Sequence, residues 1–247
     1  IIFAFMLPIA SKIRWKGKNF SNTRTIIGLI FISIALSASA FIWKDFKLLT
    51  FIGLFLSSWV CLGSILEFTS SFKSQLNFID SLKRLLIFNS RLIGRTSAHF
   101  GFGLLIFGVT AVTSWEKEDI RNVEVGESYY VQSYQIVFKG IDYSVEKNFK
   151  KVSGSFEVLN NNKLVGTLSP EKRLYPSRNE VTTEASIKPT LSNDFYMVLG
   201  NKIDENAWVV RTYIKPFISF IWFGVILMAL GGFISLLSFS PYNKFKA

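Results

Sequence analysis

Long apolar runs separated by short basic ones dominate both ends of this chain, and a stretch of mixed, alternating character lies between them. A helix needs about 20 apolar residues to cross roughly 30 Å of hydrocarbon. Four runs meet that length: Thr25 to Trp43, Leu48 to Leu66, Ser97 to Trp115 and Pro216 to Phe239. A shorter apolar piece, Ile1 to Ala10, is followed by Lys12, Arg14, Lys16 and Lys18, and it reads as the end of a truncated transmembrane helix. A signal peptide would place its charges before the apolar run, the reverse of this order. The chain opens on Ile rather than Met, so a preceding portion is expected.

After Trp115 the period changes. Tyr134, Ile136 and Phe138 alternate with Gln135, Val137 and Lys139, and Phe156 and Val158 flank Glu157, as half-buried strands do. Asn160, Asn161 and Asn162 separate two such runs, and Asp204 to Asn206 separate Phe195–Leu199 from Trp208–Ile214. Both are hairpin-turn signals, and together they predict a small antiparallel sandwich or barrel. Ahead of it, Leu76, Ile79, Leu82, Leu85, Leu86 and Phe88 recur at helical spacing around Lys83 and Arg84. That pattern fits a helix lying on the membrane surface and equally one packed against other helices.

The net charge of +11 raises nucleic acid as a partner until its location is considered. Between Glu116 and Lys215, 14 bases and 14 acids cancel, so the excess belongs to the apolar ends. Nucleic-acid binding is therefore disfavoured. Most of the remaining bases lie in Lys12 to Arg24, Lys73 to Arg95, and Lys244 with Lys246. Bases flanking membrane helices mark the cytoplasmic side, and one alternating topology puts all three segments there.

The predicted fold class is a membrane protein: an α-helical transmembrane bundle plus a small antiparallel all-β extracytoplasmic domain. In chain order, the end of a truncated helix occupies 1–11 and two transmembrane helices occupy 25–67. A cytoplasmic amphipathic loop (68–96) leads to a transmembrane helix carrying His99 (97–115). A periplasmic β domain (116–215), a last transmembrane helix (216–239) and a cytoplasmic tail (240–247) follow.

Chemistry is sparse. The single Cys, Cys61, lies inside an apolar run, so no intrachain disulfide and no multi-cysteine metal motif can form. No phosphate-binding glycine loop, nucleophile elbow or paired-His zinc motif is present. Glu67 and His99 alone are ionisable within or at the edges of the predicted spans, too few for a transporter relay. His99 is the only histidine and sits at the third residue of its predicted helix. An ionisable group there is a functional candidate, yet a hydrogen bond between helices is an equally concrete role. Gly94, Gly101, Gly103 and Gly108 keep that helix small-sided, which permits close helix packing or leaves room for a flat macrocycle beside the imidazole.

The stretch Gly94-Arg-Thr-Ser-Ala-His-Phe-Gly-Phe-Gly, running on to Gly108, resembles the late histidine-bearing membrane helix of the CcmF/NrfE family of cytochrome c biogenesis (haem lyase) proteins. Glu171-Lys-Arg-Leu-Tyr, Thr182-Thr-Glu-Ala-Ser-Ile and Asp194-Phe-Tyr-Met-Val-Leu-Gly are similar to that family's outer domain. Ala207-Trp-Val-Val-Arg-Thr-Tyr-Ile-Lys-Pro-Phe, with Ile221-Trp and Met228-Ala-Leu-Gly-Gly, is similar to its join with the last helix. The resemblance covers Gly94 to Leu237, and the earlier helices fit in pattern only.

The resemblance implies a C-terminal part of the haem lyase subunit of cytochrome c maturation, which takes haem from the CcmE chaperone and ligates it to apocytochrome c. It implies His99 as one axial ligand of the iron of a b-type haem, structural or redox in role, with a second haem as substrate. The implied partners are the membrane, an N-terminal CcmF portion, CcmE, CcmH and apocytochrome c. The implied setting is the bacterial inner membrane with the β domain in the periplasm, or the mitochondrial inner membrane. The family's tryptophan-rich motif and its other three histidines have no counterpart here, so catalysis by this chain alone is not expected. The alternative is a non-catalytic, membrane-anchored docking module for haem chaperone or apocytochrome, with Lys172, Arg173 and Arg178 pairing with propionates or an acidic partner. A second ligand from this chain would have to be Met228.

Overall fold

The computed structural model describes residues 1–10, 23–42, 47–70 and 90–237. It divides into a helical unit, Ile1–Ser114 with Ser219–Ala247, and a β unit, Trp115–Ile218. The amphipathic pattern from Leu76 to Phe88, residues 43–46 and the tail 240–247 lie outside the described residues.

In the helical unit, α1 (Ile2–Ala10), α2 (Thr23–Ser39), α3 (Leu48–Thr69), α4 (Ser90–Trp115) and α5 (Ile218–Leu237) follow the apolar runs. Helices α3, α4 and α5, at 22, 26 and 20 residues, are long and apolar enough to cross a membrane. Helix α2 is shorter than its run, because its last turn tightens into a 3-10 helix at Ala40–Ile42. Trp59 of α3 is fully buried. Its ring stacks on Phe5 at 5.6 Å and on Phe55 at 6.3 Å. A buried indole N–H needs an acceptor, and this one donates to the Phe5 carbonyl of α1 at 2.9 Å.

The β unit is an antiparallel sandwich. One sheet has the order β1 (Lys117–Glu124), β10 (Ala207–Pro216), β9 (Asn193–Lys202), β8 (Ser186–Lys188). The other runs β2 (Ser128–Val131), β3 (Tyr134–Val145), β4 (Lys150–Asn160), β6 (Glu171–Tyr175), β7 (Glu180–Glu184), with β5 (Lys163–Leu168) also paired to β4. Alternation sends Ile136, Phe138, Phe156 and Val158 from one sheet and Phe195, Met197, Leu199 and Val210 from the other into a single core. Phe138 and Phe156, opposite one another in register, stack at 4.3 Å. The hairpin expected at Asn160–Asn162 is present, with Asn161 and Asn162 at φ 49° and 61°. Asn tolerates this left-handed backbone, which matches the strand twist.

Strand β1 is mostly exposed, with Val123 its one buried position; the inward positions before it are Asp119 and Arg121, so no apolar alternation marks it and the sequence pattern passes over it. It pairs with β10 from Lys117↔Ile214 to Glu124↔Ala207, bringing the two ends of the β unit side by side. Tyr129 of β2 reaches across the sandwich to Thr212 of β10, oxygen to oxygen at 3.0 Å. Burial pushes its phenol up to about 12, only partly offset by that hydrogen bond.

Candidate functional site

Helix α4 begins at Ser90, not at the expected Ser97. Arg91 and Arg95 interrupt the apolar run but are good helix formers, so the helix extends back through them. His99 accordingly stands well inside the helix rather than in its first turn.

Glycines clamp α4 on two sides. A Cβ added at Gly101 would lie 2.6 Å from the Gly224 carbonyl oxygen and 2.9 Å from the Met228 nitrogen of α5. One at Gly231 of α5 would lie 2.6 Å from the Ala98 nitrogen. Gly94 and Gly101 of α4 thus pack backbone to backbone on Gly231 and Gly224, as small residues permit in membranes. On the other side, Gly103 faces Cys61 and Ser57 of α3, and the Ser57 hydroxyl donates to the Gly103 carbonyl at 3.0 Å. At Gly94, Gly101 and Gly103 the space beside the backbone is filled by neighbouring helices, so these glycines serve close helix packing.

His99 lies opposite the face clamped by α5 and about 40° from Gly103, on the side of α3. It is two residues from Gly101, hence about 160° round the helix from it. Met228, whose backbone lies against Gly101, is therefore on the far side of α4 from the imidazole. His99 is half-buried and makes no hydrogen bond among the described residues. The hydrogen bond between helices considered for it has no partner among the described residues, though Glu67 of α3 lies close enough to act on it electrostatically. One turn earlier on the same flank, Arg95 pairs with Glu67 of α3, a contact that sequence reasoning missed.

Among the described residues no group of three or more His, Cys, Asp or Glu side chains could hold a bare metal ion. Iron in a porphyrin brings its own equatorial nitrogens and asks the protein only for axial donors. A half-buried imidazole with no hydrogen-bond partner among the described residues, on a closely packed helix, suits that demand, so the residues present fit haem at His99.

The three outer cations separate. Lys172 donates to the Asn201 side-chain oxygen at 2.6 Å. Arg173 pairs with Glu171 at 2.9 Å and lies 4.9 Å above the Phe149 ring. Burial would raise the Glu171 carboxyl, but hydrogen bonds from Arg173 and Lys151 outweigh it and hold the group below its ordinary value. Arg178 borders a concavity of about 900 Å³ whose lining includes Phe149, Lys150, Tyr175 and Glu184.

Apolar helices joined to an antiparallel sandwich define a helical membrane protein with one β domain inserted in sequence between α4 and α5. A family model described as the CcmF C-terminal beta-sandwich matches residues 114–216. The cytochrome c-type biogenesis protein ccl1 of Rhodobacter capsulatus is 32% identical over 94% of this chain and 35% of its own length. The cytochrome c-type biogenesis protein CcmF of Escherichia coli K12 is 27% identical over 98% of this chain and 36% of its own. A solved structure, Cytochrome c Heme Lyase CcmF, superposes with a TM-score of 0.72 at 16% identity, over 94% of this chain and 38% of that one, a likeness of fold. The chain belongs to the CcmF/NrfE family and matches its C-terminal portion. It spans about a third of the length of the curated relatives it matches.

Proposed function

We propose that this chain acts in cytochrome c maturation as the C-terminal part of a haem lyase subunit, with His99 an axial ligand of a b-type haem. The observation that carries this reading is an imidazole with no hydrogen-bond partner among the described residues on a glycine-clamped helix, in a fold like that of a protein named as a cytochrome c haem lyase. When bound, the haem supplies an iron centre whose electronics its axial ligands set. The chain's own part is to hold the imidazole at a fixed azimuth and to keep its surroundings apolar. An N-terminal CcmF portion then supplies the other axial ligand, CcmE delivers substrate haem, and CcmH and apocytochrome c complete the assembly. The inner membrane holds the helices and the periplasm the sandwich. The concavity beside Arg178 favours a second role for the β domain, docking of the haem chaperone or apocytochrome.

Co-expression tests the reading. With a CcmF N-terminal portion the purified protein is expected to give a bis-histidine low-spin spectrum that this chain does not give alone. A full low-spin spectrum from the isolated chain would overturn the requirement for a second subunit. The sidedness has its own test, in a Cys61→Ser background. A thiol probe that cannot cross membranes should label Asn161→Cys from the periplasm and leave Lys83→Cys unlabelled; the opposite pattern inverts the topology.

A further inference from the structure

Four residues of α4 share one flank: Arg95, His99, Phe102 and Ile106. At 100° per residue they fall within an arc of about 60°. Along that stripe the chemistry is graded. The guanidinium stands nearest the Ser90 end and the imidazole one turn on. Phe102 and Ile106 follow, packed against the core formed by α1, α2 and α3. Phe102 meets Phe3 of α1 edge-on, ring centres 6.0 Å apart. The Arg95 side chain is 50% exposed while that of its partner Glu67 is 11% exposed. A guanidinium carries five N–H donors, so one carboxylate leaves others free for a second anion.

We infer that this graded stripe orients the haem of the proposed site, with Arg95 receiving a haem carboxylate and Glu67 holding Arg95 in place. The inference rests on the ligand role of His99. Haem b is amphiphilic: one edge bears two propionates and the opposite edge is hydrocarbon. An ionised carboxylate placed in hydrocarbon is strongly disfavoured unless paired with a cation. A haem bound through His99 can set its propionate edge toward Arg95 or away from it. The first choice places carboxylate beside guanidinium and hydrocarbon beside Phe102 and Ile106. The second puts carboxylates among apolar side chains. Arg95 is thus a positioning residue, and the pair acts on the iron with opposite signs: the cation favours the reduced state and the Glu67 anion the oxidised one.

The test uses the chain co-expressed with a CcmF N-terminal portion, freed of haem and reloaded with haem b or with its dimethyl ester, whose propionates are uncharged. The unsubstituted complex should retain haem b about tenfold or more better than the ester, the size of effect a charge-assisted hydrogen bond gives. Arg95→Ala should erase that preference, and Arg95→Lys should keep part of it. In haem-loaded protein the midpoint potential should fall in Arg95→Ala and rise in Glu67→Gln. A salt bridge with a merely structural role would lower abundance in both variants and move neither the ester preference nor the potential. Undiminished discrimination in Arg95→Ala, or shifts of the same sign in the two variants, would overturn the inference. If Arg95→Ala does not accumulate, the intermediate ester preference of Arg95→Lys and the upward shift in Glu67→Gln decide it. Haem retained in His99→Ala removes the ligand reading itself. Haem lost there, with normal ester discrimination in Arg95→Ala, removes only the orientation.

Discussion

His99→Ala is expected to abolish the b-type haem of the complex with an N-terminal CcmF portion while leaving protein level nearly unchanged. The imidazole makes no hydrogen bond among the described residues, and α4 is fixed on two sides by glycine contacts that do not involve it. Little folding energy therefore depends on this side chain. An inter-helix hydrogen bond would be worth on the order of 0.6–2 kcal/mol, and its loss would lower abundance while haem per molecule stayed constant. The haem-to-protein ratio separates these outcomes. Added imidazole is expected to restore haem by occupying the vacated space. An unchanged ratio in His99→Ala would falsify the ligand assignment.

Gly101→Ala is expected to produce a comparably large effect by a different route. The new methyl carbon meets the Gly224 carbonyl oxygen at 2.6 Å and the Leu227 Cβ and Met228 nitrogen at 2.9 Å; all three are fixed by the α5 backbone, so no rotamer change relieves the clash. Overpacking of this kind costs about 1–3 kcal/mol. Helices α4 and α5 must separate or turn, which carries His99 with them. Thermal inactivation of the detergent-purified protein should therefore occur at lower temperature, and haem per molecule should fall as well. Gly232→Ala is the control, since nothing lies within 4 Å of its added carbon. Equal thermostability of the two variants would show that the close approach of α4 and α5 does not support the fold.

Much of the architecture was legible because it rests on two periodicities. The apolar runs gave the membrane helices, and the alternation at Tyr134–Phe138 and Phe156–Val158 gave two core strands, β3 and β4. The asparagines of the turn marked positive φ directly. What escaped lay where side chains do not report burial. Strand β1 is polar because it sits at a sheet edge, and its order comes from backbone pairing with β10. The start of α4 escaped because Arg91 and Arg95 lower apolarity without lowering helix propensity. At the site, His99 stood out as the only histidine. Its lack of a hydrogen-bond partner among the described residues and the Arg95–Glu67 pair required α3 and α4 to be set side by side. The glycines were visible as a stripe, yet only their neighbours showed that they serve close helix packing.

The pairing of β1 with β10 has a consequence for synthesis. In its sheet β1 has β10 as its sole neighbour, and the chain makes β10 last, immediately before α5. At about 5–20 residues per second, translation leaves that edge waiting on the order of several seconds for its partner. The sandwich can close only when the segment that enters the final helix has itself been made. Completion of the domain and delivery of α5 therefore fall at the same moment in the life of the nascent chain.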